Sequence, residues 1–388
     1  MTQDSTTTTT STTTIPSVGI TTDDQTNANE RRSKGEFVRG VSTARDWISD
    51  QPDAKYPPAP NRYHLYVAYN CPWCHRVLLA RAILGLQDVI TVDVVYPNRS
   101  SEEEPLGANL WKFVPNGQIG QNGRLTKFEE CTTDSIHGKT YIKEIYELSG
   151  IYDQKSVPIL YDKQTNTVVN NESAEIVRML SMTMTKFSKY ENPPTLFPSE
   201  HAKEIEELND YIYKNLANGS YKAGFSSNQD TYELAYKNYF DCLYELNERL
   251  SGTSKFLVGD HVTEADLRLF PVLFRHDPVY YNRMKLNKHY LYEYPCLWRW
   301  MNDMMLLQGM DEVSNVGYLQ HCKQGYFGRT GNGTIPVGPE GYPECYNIRN
   351  WKPKGPTSLS SSSASLSTSE GKGLDENGNR ESKRPKLV

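Results

Sequence analysis

Two cysteines are separated by two residues in the segment Asn-Cys71-Pro72-Trp73-Cys74-His-Arg. The preceding residues 64–69 alternate as a strand does, and helically spaced apolar residues follow, so Cys71 is predicted at a strand-to-helix junction. Pro72 suits the first helical turn because its missing N–H would have no intrahelical partner there. Free N–H groups and the positive end of the helix dipole stabilise a thiolate at this position. The sequence therefore predicts that Cys71 is a reactive nucleophile.

A structural interpretation of the pair is the alternative, because free cysteines are often buried and Cys-x-x-Cys pairs also occur by chance. A zinc site would need further ligands at matching spacing, and the chain has no second Cys-x-x-Cys. The order strand, Cys-Pro, helix favours chemistry without a metal. Cys74 lies one turn into the predicted helix, where a buried small residue and a second redox thiol are both consistent with the pattern.

The composition excludes several classes of protein. The chain has 388 residues and a formal net charge of −5, which gives no general attraction to nucleic acid. No apolar run approaches the length that spans a membrane. The seven cysteines form an odd, sparse set, and the Thr-rich start has no apolar signal core. We therefore expect a soluble protein in a reducing compartment, the cytoplasm, without nucleic-acid or membrane partners.

Both ends of the chain are polar. Residues 1–34 and the Ser-rich residues 353–388 have too few apolar side chains to offset the entropy of ordering, so we predict that they are disordered. Residues 35–60 contain several prolines and are predicted to form an extended arm that packs on the globular body. The basic cluster Lys-Arg-Pro-Lys at 383–386 indicates either a solvated charge run or a nuclear import signal, which leaves the nucleus open as a second location.

The middle of the chain divides into two patterns. In residues 61–185, a strand, the Cys-bearing helix and a strand at 89–96 form a predicted βαβ unit. Further strands are predicted at 156–162 and 167–170, with helices at 141–148 and 173–180. Residues 195–350 change to helical spacing and predict an all-α domain, with helices at 199–217, 229–250 and 263–275, another from Pro295, and a Gly- and Pro-rich loop at 325–343.

Three features outside the cysteine pair could contact a ligand. Trp111 lies in a long insertion between Tyr96 and Asp134 and could cover a ligand or fill the local core. Pro158 within a strand indicates an open edge or a cis peptide bond. Glu172-Ser173 precedes a helix, where N–H groups and a hydroxyl can bind a carboxylate while Glu172 receives an ammonium, although an ordinary helix cap explains Ser173 equally well.

Several stretches together resemble the glutathionyl-hydroquinone reductases, or xi-class glutathione transferases, which are relatives of the omega class. They are Asn-Cys71-Pro-Trp-Cys-His-Arg, Asn-Asn-Glu172-Ser173-Ala-Glu-Ile-Val-Arg, Asn-Gly-Ser-Tyr221-Lys-Ala-Gly-Phe, Thr263-Glu-Ala-Asp-Leu-Arg-Leu-Phe, Phe-Arg275-His-Asp-Pro-Val-Tyr280, and Gly-Tyr326-Phe before Ile-Pro-Val-Gly-Pro. The likeness runs from about residue 36 to 350, with six motifs in family order. It implies an α/β plus all-α fold, in which an N-terminal thioredoxin-like domain precedes a C-terminal helical glutathione-transferase domain.

The resemblance also implies roles for the residues around a bound glutathione. Cys71 matches the family nucleophile, and Trp111 matches the tryptophan that covers glutathione. Val157, beside a cis Pro158, would pair through its backbone with the cysteinyl part. Glu172 and Ser173 would bind the amine and the carboxylate of the γ-glutamyl group.

Other residues carry over with alternatives. Lys143 lies near a basic residue that holds the ligand in the family, and Lys155 is the second candidate. Tyr221 and Tyr326 match the pair that lines the pocket for the aromatic substrate and are expected to be catalytic. Cys74 departs from the family, which usually has alanine there, so a dithiol mechanism stays open. The insertion before Asp134 is the other departure.

The expected function is a glutathione-dependent reduction of glutathionyl-hydroquinones to hydroquinones, through a Cys71 mixed disulfide and with release of glutathione disulfide. Glutathione is then the co-substrate, no metal takes part, and the resemblance implies a homodimer. An omega-type thioltransferase or dehydroascorbate reductase would use Cys71 without needing Tyr221 and Tyr326. A binding module without turnover is the alternative from another class, and the Cys-Pro-Trp-Cys segment argues against it.

Overall fold

The computed structural model describes residues 28–120, 123–329 and 333–338. Its first half is built on a mixed four-stranded sheet in the order β2-β1-β5-β6. Strand β1 (Tyr63–Val67) leads through helix α2 (Pro72–Ile83) to β2 (Thr91–Val94), which pairs with β1 in parallel. The β-branched and aromatic residues of these strands suit a sheet that is buried on both faces, and the predicted βαβ unit is confirmed.

The second half of the sheet is antiparallel. Strands β5 (Ile159–Asp162) and β6 (Thr167–Asn170) form a hairpin, and β5 lies against β1. Helices α3 (Ile142–Leu148) and α4 (Ser173–Met179) flank this hairpin in sequence. Within the predicted insertion, a short hairpin forms from β3 (Gln118–Ile119) and β4 (Leu125–Thr126).

The rest of the described chain is helical, as predicted. The helices are α5 (Ala202–Ile212), α6 (Gly219–Phe225), α7 (Gln229–Arg249), α8 (Glu264–Arg275), α9 (Tyr281–Arg283), α10 (Pro295–Met305), α11 (Met310–Val313) and α12 (Val316–Phe327). Single π-helical turns continue α4, α5 and α8 at Leu180–Met184, Tyr213–Ala217 and His276–Tyr280, and short 3₁₀ turns form at Thr185–Phe187, Ser199–His201 and Leu291–Glu293.

Helix α8 is the centre of the helical half, because every one of its residues is buried and it packs directly against α2. Its N-terminus is held by a capping box, in which the Asp266 carboxylate accepts the backbone N–H of Thr263 at 2.9 Å. The same carboxylate accepts the indole N–H of Trp300 at 2.9 Å and so ties α10 to α8. The packing of α8 against α2 therefore fixes the helical half against the helix that begins beside Cys71.

Two regions differ from the sequence expectation. Residues Ala28–Ser33 form helix α1, closed by an ion pair of 2.7 Å between Glu30 and Lys34, although 1–34 was expected to be disordered. Helix α12 extends to Phe327, although 325–343 was expected to be a loop. The remaining predicted tail residues, 1–27 and 353–388, lie outside the described part of the chain. Within the described residues, no helix has the length and apolar character needed to cross a membrane.

Candidate active site

Cys71 is the N-cap residue of α2, with an extended backbone and a buried side chain. Its Sγ lies 3.6 Å from the backbone oxygen of Val157 on the sheet side. The loop before it is held by the buried guanidinium of Arg275, which donates to the backbone oxygens of Tyr69 at 2.9 Å and Asn70 at 3.3 Å. Arg275 of the helical half therefore fixes the position of the thiol. No role was predicted for Arg275 from the sequence, although it lies in the motif Phe-Arg275-His-Asp-Pro-Val-Tyr280.

Several groups act on the ionisation of Cys71. Burial alone would raise its pKa, but the thiol of Cys74 and the backbone N–H groups of Cys74 and Trp73 donate to the thiolate. The positive charge of Arg275 adds to them, and together they lower the pKa of Cys71 from its ordinary value to about 6. Cys71 is therefore largely a thiolate at neutral pH, which is the nucleophilic form.

Cys74 behaves in the opposite way. Its side chain is fully buried, and burial together with the neighbouring Cys71 raises its pKa well above that of a free thiol. Its Sγ also accepts the backbone N–H of Ala68 at 3.4 Å. The pair thus consists of one thiolate and one thiol, and the thiol stabilises its partner by donating to it.

A cavity of about 780 Å³, called here the first cavity, opens over Cys71. Tyr221 of α6 and Tyr326 of α12 line it, and their hydroxyl oxygens are 2.6 Å apart. Burial raises the pKa of both phenols, so both remain protonated at neutral pH and can donate. Trp111 lines the same cavity, and the guanidinium of Arg99 lies 4.5 Å from its ring centre. The arrangement joins a nucleophilic sulfur, proton donors and an aromatic wall.

Tyr326 reaches this cavity because α12 passes very close to the loop before Cys71. A Cβ placed on Gly325 would lie 2.0 Å from the side chain of Asn70, so only glycine permits this approach. Asn70 in turn donates its side-chain amide to the backbone oxygen of Pro97 at 3.1 Å. Tyr326 therefore depends on the contact between Gly325 and Asn70 for its place beside the thiol.

A second cavity of about 520 Å³ adjoins the first one and is lined by Val157, Pro158, Glu172 and Ser173. The Val157–Pro158 peptide bond is cis. Glu172 caps α4 by accepting the backbone N–H of Ala174 at 3.1 Å. This cavity has the predicted mixture of a carboxylate, a hydroxyl and a helix N-terminus, which suits a ligand with both an ammonium and a carboxylate.

Arg76 of α2 is a residue of the second cavity that the sequence did not single out. Its guanidinium donates to the Ser173 hydroxyl at 2.9 Å and to the Glu172 carboxylate at 3.2 Å. A charged side chain among the apolar residues of α2 was the available signal, because a buried charge needs partners. Arg76 thereby holds the two predicted ligand-binding residues next to each other.

The arm at residues 35–60 does more than pack. It pairs with the edge of β6, where the N–H of Asp46 donates to Val169 O at 3.0 Å. Ser42 donates to the Glu172 carboxylate at 3.2 Å, and both Phe37 and Arg39 line the first cavity. The expectation of a packing role is therefore corrected: the arm is also part of the wall of the site.

The two lysine candidates lie in different places. The ammonium of Lys143, on α3, is 3.4 Å from the carboxylate of Glu147 on the same helix. Lys155 lines the second cavity, in the loop before Val157. The structure therefore brings Lys155, and not Lys143, to the cavity that contains Glu172 and Ser173.

In the described part of the chain, no group of three or more His, Cys, Asp or Glu side chains could hold a metal ion.

A thioredoxin-like half with a thiolate at its first helix, followed by a helical half that completes the cavity, defines a glutathione transferase. Models of the N-terminal and C-terminal glutathione S-transferase domains match residues 70–182 and 229–303.

Relatives place the chain more narrowly. It is 35% identical over 315 residues to the glutathionyl-hydroquinone reductase PcpF of Sphingobium chlorophenolicum, across 80% of this chain and 91% of that protein. It is 35% identical to the glutathione S-transferase omega-like 2 of Schizosaccharomyces pombe, across 79% and 94%. The xi glutathione transferase ECM4 of Saccharomyces cerevisiae, solved in complex with glutathione, superimposes with a TM-score of 0.69 at 29% identity, across 78% and 98%. The chain belongs to the glutathione transferase family, in the xi class that contains the glutathionyl-hydroquinone reductases.

Proposed function

We propose that the protein reduces glutathionyl-hydroquinones to hydroquinones with glutathione as co-substrate. The observation that carries this proposal is the presence of the Cys71 thiolate and the Tyr221–Tyr326 hydroxyl pair in one cavity. A thiolate alone suffices for exchange with a disulfide, but cleavage of a carbon–sulfur bond also needs a proton donor. The relative from Sphingobium chlorophenolicum bears the name of this activity.

The reaction proceeds in two displacements. The Cys71 thiolate attacks the sulfur of the aryl thioether, so a sulfur–sulfur bond to glutathione forms as the carbon–sulfur bond breaks. The electron pair of the broken bond stays on the aryl carbon, which takes a proton from a tyrosine hydroxyl and becomes the hydroquinone. A second glutathione thiolate then attacks the mixed disulfide, releases glutathione disulfide and restores the Cys71 thiolate. Glutathione supplies both electrons of the reduction.

The glutathionyl part of the substrate would occupy the second cavity. Glu172 would receive the γ-glutamyl ammonium, while Ser173 and the N-terminus of α4 would bind its carboxylate. Val157 would pair through its backbone with the cysteinyl unit, and Trp111 would cover it. Lys155, rather than Lys143, has the position to support the ligand. Glutathione bound in this way presents its sulfur to Cys71.

An omega-type thioltransferase is the second candidate, because a relative is named omega-like and Cys74 could act as a resolving thiol. The purified protein can be assayed side by side on a glutathionyl-hydroquinone, dehydroascorbate and a small mixed disulfide of glutathione. We expect the highest kcat/KM with the glutathionyl-hydroquinone. A higher value with dehydroascorbate would favour the omega-type activity, and glutathione binding without turnover of any of the three would indicate a binding module.

We also propose that the protein works as a homodimer in the cytoplasm, with the nucleus as a second location. Light scattering coupled to gel filtration measures the mass of the particle, and a monomer would contradict the dimer. A fluorescent fusion reports the location. If the cluster at 383–386 is an import signal, its deletion shifts the fusion from nucleus to cytoplasm, and an unchanged distribution would retire that idea.

A further inference from the structure

The two cavities differ in the charges that line them. Arg39 and Arg99 line both, where the cavities adjoin. The second cavity adds two cations and two carboxylates: Arg76, Lys155, Asp153 and Glu172. The first cavity adds the cations Arg283 and Arg329 and the Cys71 thiolate, and no aspartate or glutamate lines it. With Arg39 and Arg99 included, both cavities have more cations than anions, but only the second has carboxylates of its own to offset part of that charge. In the first cavity, the Cys71 thiolate is the single anionic group of the described lining.

Arg283 and Arg329 lie at the part of the first cavity that is built by the aromatic side chains. The guanidinium of Arg283 lies 5.4 Å from the ring centre of Phe225, and its Nε donates to the backbone oxygen of Tyr326 at 3.1 Å. Arg329 lies two residues beyond the end of α12 and is exposed, with Nη1 3.5 Å from the side-chain oxygen of Asn109. Arg283 thus lies beside the tyrosine wall, and Arg329 lines the same cavity next to Asn109.

Within residues 28–120, 123–329 and 333–338, no carboxylate lies within 4.0 Å of a guanidinium nitrogen of Arg283 or Arg329. The pKa of Arg99 lies below its ordinary value, chiefly because its guanidinium is desolvated. The charge of Arg329 lowers this pKa further, whereas Cys71, Tyr221 and Tyr326 act in the opposite direction. Positive charges that face one another across a cavity repel, and an anionic ligand relieves that repulsion. A guanidinium group also binds a carboxylate through two parallel charge-assisted hydrogen bonds, an arrangement that a neutral group does not form.

Resting on the proposed function, we propose that Arg283 and Arg329 select glutathionyl-hydroquinones whose aromatic ring carries a carboxylate. The ring lies against the tyrosine wall, its thioether sulfur faces Cys71, and the ring carboxylate points towards the two arginines. A neutral ring still fits the cavity and reacts, but it lacks the charged contact. The substrate class is therefore hydroquinone conjugates derived from aromatic acids.

The test compares two synthetic conjugates of glutathione that differ only in one ring substituent, a carboxylate or the carboxamide of nearly the same shape. For the unaltered protein, we expect kcat/KM to be roughly fivefold to tenfold higher for the carboxylate at low ionic strength, and the ratio to fall as salt is added. The double variant Arg283→Gln/Arg329→Gln should bring the ratio close to one, and its carboxamide rate measures separately what the lost contact of Arg283 with Tyr326 O costs. The control Lys203→Gln/Lys237→Gln removes two exposed charges elsewhere and should keep the full ratio.

Binding to the Cys71→Ser variant gives the same comparison without turnover, by calorimetric titration of both conjugates. A carboxylate-to-carboxamide ratio near one in the dissociation constants overturns the selectivity, whether or not the conjugates react. Equal loss of both rates in the double variant also overturns it, because the arginines then support the thiolate or the fold instead of selecting the substrate. Turnover of the carboxamide conjugate without a preference leaves the proposed function intact, whereas a binding preference without turnover of either conjugate contradicts only the proposed function.

Discussion

The two cavities that adjoin at Val157 are built in different ways. The second takes half of its lining from the loop before β5 and the turn after β6, where Val157, Glu172 and Ser173 lie, and the other half from the arm, α2 and two more distant side chains. The first needs Tyr221 and Tyr326 from separate helices and a segment of the N-terminal arm. Local strand and turn geometry therefore positions Val157, Glu172 and Ser173 in the second cavity, called here the glutathione side. The tyrosine pair in the first cavity, called here the aromatic side, depends on contacts between distant helices.

This difference has a consequence for function. Binding residues that lie close together in the chain can contact the same small peptide in many related proteins, because few long-range contacts are needed to bring them together. A site assembled from distant helices can change its substrate through replacements in any one of them. We therefore expect substitutions on the two sides to separate glutathione binding from the chemistry of the aromatic ring.

The largest effect is expected where both sides depend on one atom. Cys71→Ala removes the sulfur that attacks the thioether, and every glutathione-dependent activity should fall on the order of 10³-fold or more. Steady-state assays on a glutathionyl-hydroquinone and on a mixed disulfide measure it. Cys296→Ala is the matched control, since Cys296 also lies in the first turn of a helix, α10, and should keep full activity. Substantial residual activity in Cys71→Ala would place the nucleophile elsewhere.

The aromatic side should respond next. Tyr221→Phe and Tyr326→Phe each remove one hydroxyl of the pair and should lower kcat for glutathionyl-hydroquinones by about 10²-fold, because proton transfer to the aryl carbon loses its donor. Disulfide exchange should be nearly unchanged, since it needs no such proton. Tyr244→Phe, on the exposed face of α7, serves as control. Equal losses in both assays would mean that the tyrosines only shape the cavity or hold glutathione.

On the glutathione side we expect a smaller effect, which changes KM for every substrate and leaves kcat nearly unchanged. Glu172→Gln keeps an acceptor for the Ala174 N–H but loses the charge that would bind the ammonium of glutathione, so KM for glutathione should rise about tenfold. All substrates should be affected alike with little change in kcat, because the contact is the same in the ground and transition states. Glu207→Gln on the surface of α5 is the control. A selective loss with hydroquinone conjugates would break the separation of the two sides.

Features built from neighbouring residues could be predicted from the sequence, whereas features built from distant residues could not. The place of Cys71 at a strand-to-helix junction and the helix that begins at Ser173 follow from patterns of a few residues, and both elements form as predicted. The cap expected from Ser173 is supplied by Glu172 instead. Arg39 and Arg275 could not be assigned from such patterns, because their partners are more than a hundred residues away in the chain. Residues Ala28–Ser33 are helical without any buried residue, and Glu30 pairs with Lys34 there, a contact that a count of apolar residues does not register.

The two thiols of α2 are expected to influence each other's ionisation. Cys74→Ala removes a side chain that donates to the Cys71 thiolate, so the pKa of Cys71 should rise from about 6 towards that of a free thiol. Alkylation by iodoacetamide follows the thiolate, which is present above the pKa, so the midpoint of its pH profile should move upward by about one unit. Hydroquinone reduction at pH 7.5 should nevertheless stay within a few fold, about 1 kcal/mol or less of transition-state stabilisation. An unchanged midpoint would show that backbone N–H groups and Arg275 alone stabilise the thiolate.

Intact mass spectrometry after treatment with glutathione disulfide tests whether Cys74 also resolves the intermediate. The Cys71 thiolate attacks the disulfide and takes up one glutathione, and a thiol at Cys74 could displace it only as a thiolate. Burial and the neighbouring Cys71 hold the pKa of Cys74 high, so we expect the adduct of one glutathione to persist. Complete conversion to a Cys71–Cys74 disulfide, together with loss of activity in Cys74→Ala, would contradict the monothiol mechanism. In that case the second glutathione would reduce the Cys71–Cys74 disulfide instead of a mixed disulfide, as in glutaredoxin-like chemistry.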